Sequence, residues 1–395
     1  MSNINVKGIQ DYLKQNQIDG WLIFDFRGQN YVATNFFKMN KERLLTRRWF
    51  YFIPQVGQPQ LVIHKIERDN FPNPPQQVQY YVSWQELGNH LREMMQGCKK
   101  IAMEYSPNGA IPYVSTVDGG TLEFVRALGF EIVTSANLVQ YFQCRWTPEQ
   151  LQSHIRAVKL LDQIKDEAFA LIGRRLTNQQ TVNEYDVQRF ILNSLQDNDL
   201  LTDELPIVSV NANASNPHYA PSSNRFSPIK ENDFVLIDLF AKERTANAVY
   251  GDITWVGFAG EGVPEKYSEI FKIVAAARDA GLESLKLAAA RGEKIQGWQV
   301  DRCVRDYIKK AGYGDYFDHR TGHSLHTKIH GNGVNIDSLE TQDEREIIPG
   351  LGFTIEPGIY LEEFGVRSEV DVYYDEDGPK VYAPIQQEVV AILKS

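Results

Sequence analysis

Two apolar runs, Phe234-Val-Leu-Ile-Asp-Leu-Phe and Tyr250-Gly-Asp-Ile-Thr-Trp, each enclose one aspartate, Asp238 and Asp252. Both runs are rich in β-branched and aromatic residues, and the segment between them is short and mostly polar. That is the pattern of an antiparallel hairpin. A carboxylate inside such a run is costly to bury unless a cation meets it. Neither run holds a lysine or arginine, and Lys242 and Arg244 fall in the expected turn, so the partner has to come from elsewhere. A divalent metal ion is the simplest candidate, because hard cations take carboxylate oxygens. The pair alone would look the same with both aspartates at strand ends, facing water. The rest of the C-terminal half tips the balance: Gly322-His323, Phe353-Thr-Ile-Glu356 and Val366-Arg-Ser-Glu369 each set one more ligand-type side chain on or beside a strand-like run.

At 395 residues the chain is long for one domain, and two are expected. A net charge of −10 argues against nucleic acid, which needs a basic footprint. Cys98, Cys144 and Cys303 are odd in number and far apart, so neither a disulfide framework nor a paired-cysteine metal site follows. The first residues lack the apolar core of a signal peptide, and no run of about 18 apolar residues offers a membrane span. A cytoplasmic protein is expected.

Residues 6–18 carry apolar side chains at helical spacing, and Gly20 then leads into the strand-like Trp21-Leu-Ile-Phe. Arg48-Trp-Phe-Tyr-Phe-Ile-Pro and Gln60-Leu-Val-Ile-His are further strand candidates. Alternating helix and strand signals follow at 84–95, 100–103, 121–128 and 131–133, which is the signature of an α/β domain over residues 1–145. Within it Arg43, Arg47 and Arg48 are the densest arginine cluster, read as a solvated loop or strand edge, while His64 and His90 read as structural. Thr147-Pro-Glu-Gln then opens a long helix with a hydroxyl cap, a proline at the first helical position and an early acid. It is expected to run to about Arg175 and to begin a second domain, 146–395. Helices at 183–195, 264–290 and 300–311 and a final strand at 388–393 complete the expectation.

Four of the eight histidines, His319, His323, His326 and His330, share one short window. Their spacing would stack them on one face of a helix, but Gly322, Gly331 and Gly333 argue against a helix. A strand-and-loop stretch that brings some of them to one site fits better, with His326 the first candidate for a structural role.

The order Asp, Asp, His, Glu, Glu through 238–369 resembles the pita-bread metallopeptidases of family M24, which include methionine aminopeptidase, aminopeptidase P and prolidase. The similarity is greatest to the prolidase and aminopeptidase P branch, where a separate α/β domain precedes the catalytic one. The resemblance implies a creatinase N-terminal-like α/β domain followed by an α+β pita-bread catalytic domain. It also implies two divalent metal ions per subunit, manganese first among Mn, Zn, Co and Fe. Asp238, Asp252, His323, Glu356 and Glu369 match the family's metal ligands, and Glu356 its proton shuttle. His218 and His330 look like the two histidines that face the substrate. His319, Tyr360 and Arg367 fall on positions that support the ligands or contact the substrate, Arg367 either orienting Glu369 or meeting a substrate carboxylate. The implied reaction is hydrolysis of Xaa-Pro bonds, in dipeptides or at peptide N-termini, by a metal-bridging hydroxide, and the implied assembly is a homodimer.

This chain departs from the family pattern in places. His326 stands where a second small residue is usual, and Gly331 and Gly333 replace a glutamate and a proline. The interval between the aspartates, fourteen residues, is long, and Val370 stands where an acid is frequent. None of these removes a ligand, but they bear on the substrate pocket. The alternatives are a scaffold that has kept the fold without catalysis, a metal-free creatinase-like C–N hydrolase, and a histidine-only zinc site at 319–330. That last reading leaves four carboxylates without a partner.

Overall fold

The computed structural model describes residues 5–37, 45–71 and 74–394, and Arg43 lies outside them. The chain divides into two compact units, Met1–Gln143 and Cys144–Ser395.

Aromatic and β-branched runs make the sheet of the N-terminal unit. Its strands are β1 (Gly20–Asp25), β2 (Trp49–Pro54), β3 (Gln60–His64), β4 (Gln77–Tyr81), β5 (Lys100–Met103) and β6 (Glu131–Thr134). They lie in the order β4-β3-β2-β1-β5-β6, with β1, β2 and β3 antiparallel to one another and the outer pairs parallel. The helices are α1 (Val6–Gln15), α2 (Tyr31–Phe37), α3 (Trp84–Met94), α4 (Gly119–Ala127) and the single turn α5 (Ala136–Val139). Leu22, Phe24, Phe50 and Phe52 of the sheet pack on Leu87 and Leu91 of α3 and on Leu122 and Val125 of α4. Arg47 is exposed, and Arg48 lies over the Phe124 ring. The His64 ring caps the turn after β3 by accepting from the Ile66 N–H.

The C-terminal unit opens on α6 (Pro148–Thr177), whose Thr147 and Gln150 form a capping box. Next come β7 (Val182–Asn183), α7 (Glu184–Asp197), β8 (Leu200–Leu201), β9 (Ile207–Val210) and β10 (Pro228–Ile229). The hairpin follows as β11 (Phe234–Glu243) and β12 (Gly251–Phe258). Then come α8 (Glu265–Arg291), α9 (Gly297–Lys310), β13 (Ser324–Leu325), β14 (Leu351–Ile355), β15 (Gly358–Tyr360), β16 (Gly365–Arg367), β17 (Val370–Asp375), β18 (Gly378–Lys380) and β19 (Val390–Ala391). One sheet runs β19-β12-β11-β8, with β9 also on β11, and a second runs β13-β14-β17-β18.

Side chains alternate along a strand, and both faces of β11 are buried. Val235, Ile237, Leu239 and Ala241 pack on α6 and α7. Phe234 and Leu236 pack on α8 and α9. Asp238 therefore falls on the face of Phe234 and Leu236, and Asp252 on the face of Val256 and Phe258.

Several expected boundaries move. The first helix stops at Gln15 because Gln17 takes a left-handed backbone, φ 55°. Lys242 lies within β11 rather than in the turn, and the final strand shortens to two residues. Helix α2, with the sequence Tyr-Val-Ala-Thr-Asn-Phe-Phe, has little intrinsic helix preference and gives no sequence signal of its own.

Candidate metal centre

The hairpin register pairs Asp238 with Thr254 and Phe240 with Asp252. The two aspartates are therefore diagonal neighbours on one face, within reach of a shared ligand. The second sheet supplies the other donors at its strand ends. His323 immediately precedes β13, where its N–H donates to Thr354 Oγ1 (3.0 Å) and its carbonyl accepts from the Thr354 N–H (2.9 Å). Glu356 follows β14, its N–H on the Thr321 carbonyl (2.7 Å). Glu369 occupies the break between β16 and β17. Gly322 makes this seam possible: a Cβ there would lie 2.0 Å from the Thr354 carbonyl.

Among the described residues, Asp252, His323 and Glu369 offer ligand atoms within 4.8 Å of one another. His323 Nε2 lies 3.5 Å from Asp252 Oδ2 and 3.4 Å from Glu356 Oε1. Asp238 is tied in by Arg367, whose Nη2 donates to its Oδ2 at 2.5 Å. Arg367 also donates through Nε to Thr254 Oγ1 (3.0 Å) and through Nη1 to the Tyr360 hydroxyl (3.3 Å). Thr254 in turn donates to Glu369 Oε2 (2.6 Å). The Tyr360 hydroxyl and His319 Nε2 are hydrogen-bonded at 2.7 Å.

Among the described residues, three buried oxygens of the candidate ligands, Asp238 Oδ1, Asp252 Oδ1 and Glu369 Oε1, meet no hydrogen-bond donor, and neither does Asp371 Oδ1 beside them. Burial, and then the charges of Asp238 and Glu356, push Asp252 well above the usual carboxylate range. Burial and the charges of Asp252, Glu356 and Asp238 do the same to Glu369. Burial also raises Asp238 and Glu356, with Arg367 offsetting part of the rise in both and His323 helping at Glu356. One guanidinium cannot neutralise this many acids. The orphaned oxygens and crowded negative charge fit divalent cations, and the donor set of four carboxylates and one imidazole suits hard or borderline ions.

The remaining expected residues lie around this core. The His330 ring centre is 4.4 Å from that of His323, and its side chain is about half exposed, with Glu204 4.0 Å from its Nδ1. His218 is exposed on its loop and lies near enough to His330 for their charges to interact. Half-buried His319 is pushed down to about 3 by burial and by Arg367. His326 contributes mainly through its peptide, which bonds Lys328 and Tyr250, while its ring makes only a 3.4 Å contact with Thr327.

Arg367 closes β16 and acts on Glu369 both through Thr254 and through the charge between the two groups. The cation that meets Asp238 in this structure is this arginine, 129 residues away and outside both apolar runs, as expected of its partner. Two supporting residues were missed: Thr254 and Asp371. Asp371 Oδ2 accepts the Asp252 N–H (2.8 Å), and an acid inside the apolar run of β17 is the same signal that singled out Asp238.

A family model described as metallopeptidase family M24 matches residues 153–376. An Xaa-Pro dipeptidase of Lactobacillus helveticus is 28% identical over 253 residues, covering 62% of this chain and 61% of that protein. An Xaa-Pro dipeptidase of Pyrococcus furiosus is 34% identical over 175 residues, 44% of this chain and 45% of that protein. The aligned part thus spans less than two thirds of these curated relatives. Over the whole chain the fold is similar to that of dipeptidase PepE from Mycobacterium ulcerans, with a TM-score of 0.71, 18% identity and coverage of 98% of this chain and 96% of that one. A prolidase from Pyrococcus horikoshii OT3 gives a TM-score of 0.61 at 22% identity, covering 98% and 99%.

Proposed function

Because the chain belongs to metallopeptidase family M24, we propose that it hydrolyses the peptide bond preceding proline, in dipeptides or at peptide N-termini. The three orphaned carboxylate oxygens beside His323 carry this reading, and the names of the two Xaa-Pro dipeptidases support the substrate class. Asp238, Asp252, His323, Glu356 and Glu369 would hold two divalent cations, manganese being favoured by the oxygen-rich donors. When bound, such a pair supplies a water acidified to near-neutral pKa and polarises the scissile carbonyl.

The chain's own groups do the rest. Glu356 accepts the proton released by the attacking water and delivers it to the departing amine. Its Oε1 takes a hydrogen bond from Thr354 Oγ1 (3.2 Å), which orients the carboxylate for that exchange. His330, with His218, steadies the carbonyl oxygen as negative charge develops there. Arg367 is buried and already bonded to Asp238, Thr254 and Tyr360. Its role is therefore to hold the metal ligands rather than to meet a substrate carboxylate.

The test assays Gly-Pro and a longer Xaa-Pro peptide before and after chelation, then with added Mn²⁺. Activity that chelation removes, Mn²⁺ restores and Asp252→Asn abolishes is the expected result. Undiminished turnover after metal stripping would overturn it in favour of a creatinase-like route. Bound metal with no Xaa-Pro turnover would overturn the substrate assignment.

A further inference from the structure

The residues just ahead of Asp252 are gripped by one turn of helix α6. The Val249 N–H donates to Ser153 Oγ (3.1 Å), and the Tyr250 carbonyl meets His154 Nδ1 at 2.8 Å. A carbonyl can only accept, so Nδ1 carries the hydrogen. Gly251 comes next, and a Cβ there would sit 2.6 Å from Val158 Cγ1, so α6 and the start of β12 touch with no room for a side chain. Asp252 follows directly.

The other edge of the same imidazole faces the site. His154 Nε2 lies 3.8 Å from Asp371 Oδ2, the oxygen that accepts the Asp252 N–H. One ring thus contacts the peptide two residues before Asp252 and, on its far side, faces the carboxylate that holds the Asp252 peptide. His154 is itself fixed. It is 1% exposed, and the Trp146 ring packs on it at 4.8 Å between centres. Trp146 is pinned in turn by its Nε1 on the Leu325 carbonyl (2.9 Å) and stacks on Tyr373. Burial pushes the imidazole down to about 4, so it serves as a neutral donor. A plain core position would be filled by an aliphatic side chain. A fully buried imidazole held to the strand through its Nδ1 hydrogen, with Nε2 packed against Asp371 and not bonded to it, is a connector.

We propose that His154 is a positioning residue for Asp252: from α6 its Nδ1 hydrogen locks the strand that carries this carboxylate, and its ring fills the space behind the Asp371 group that fixes the Asp252 peptide. Ion affinity then depends on a side chain that touches no ion. This rests on the metal-site reading above. Groups that orient metal ligands from behind typically alter affinity by about 10–100-fold when removed.

The experiment titrates Mn²⁺ calorimetrically into the metal-stripped full-length chain and records the Co²⁺ absorption spectrum as a reporter of ligand geometry. His154→Leu fills the space without polar contacts and is expected to weaken Mn²⁺ binding about 10–100-fold and to change the Co²⁺ bands. His154→Asn can keep the Tyr250 contact but draws back from Asp371, and an intermediate loss is expected. Ile164→Ala, a core truncation farther along α6, is the control; it lowers Tm and leaves affinity and spectrum alone.

A folded His154→Leu with native affinity and spectrum overturns the proposal, as does an equal loss in Ile164→Ala. If the leucine variant does not fold, His154→Asn decides: weakened binding supports the connector and native binding refutes it. A wild-type chain that takes up neither Mn²⁺ nor Co²⁺ overturns the metal-site reading and this proposal together. Wild-type uptake with unaffected variants overturns this proposal alone.

Discussion

Arg367 shows how much one side chain settles. Its planar fork reaches Asp238, Thr254 and Tyr360 at once, a geometry that a lysine ammonium cannot copy. Removing one member of a buried ion pair typically costs about 3–5 kcal/mol. Arg367→Met should therefore destabilise the metal-free C-terminal unit by about that much, as read from urea unfolding, and saturating Mn²⁺ should restore part of the loss. Arg367→Lys should lose less. Glu356→Gln keeps the shape of the site but cannot take a proton, so kcat should fall by about 10²–10⁴-fold while the protein stays folded. The five acid and imidazole donors were legible in sequence because each interrupts or borders an apolar run. What Arg367 touches was not, since a contact across 129 residues leaves no local trace. His154 was equally silent, because a histidine on an amphipathic helix reads as ordinary until the fold gives it neighbours.

Among the elements, the hairpin was legible in kind but not in extent. Alternation and β-branched residues declare the strands, yet β11 continues through Lys242 and Glu243 because β8 pairs there. Capped helices such as α6 announce their starts, whereas the end of α1 depends on one left-handed residue. Inside the N-terminal sheet, Glu104 immediately follows β5, fully buried, and accepts from Trp21 Nε1 (2.7 Å), Asn30 Nδ2 (2.8 Å) and Ser135 Oγ (3.2 Å). Burial outweighs these bonds and pushes its carboxyl up to about 7. The native state therefore keeps a proton that the unfolded chain has lost. Below the unfolded pKa, near 4.5, Glu104 exacts no penalty; as pH rises to about 7 this stability drains away. Relative to Glu104→Gln, the wild-type N-terminal unit should lose on the order of 3 kcal/mol across that window. Urea unfolding at a series of pH values measures it, and a pH-independent difference would refute the assignment.

At the scale of the whole molecule, the ion cluster belongs to one of two compact units. Binding to the native state stabilises by mass action, about 2.7 kcal/mol for one site at a free concentration of 100 Kd. Scanning calorimetry should therefore show Mn²⁺ raising the transition of the C-terminal unit while the transition of the N-terminal unit stays in place. A matching rise in both would mean that they melt as one body. The boundary between the two compact units falls near the point where alternating strand and helix signals give way to the long capped helix. The seating of the two C-terminal sheets was not legible in the sequence, because it rests on contacts between residues far apart in the chain, such as the Asp252 N–H on Asp371 Oδ2. That seating also fixes an order of events during synthesis. Asp238 and Asp252 pair within one hairpin, but Glu369 leaves the ribosome more than a hundred residues later. A nascent chain therefore carries two crowded acids long before the remaining donors exist. On the proposed reading, ions bind only after Glu369 has joined the two aspartates, late in maturation.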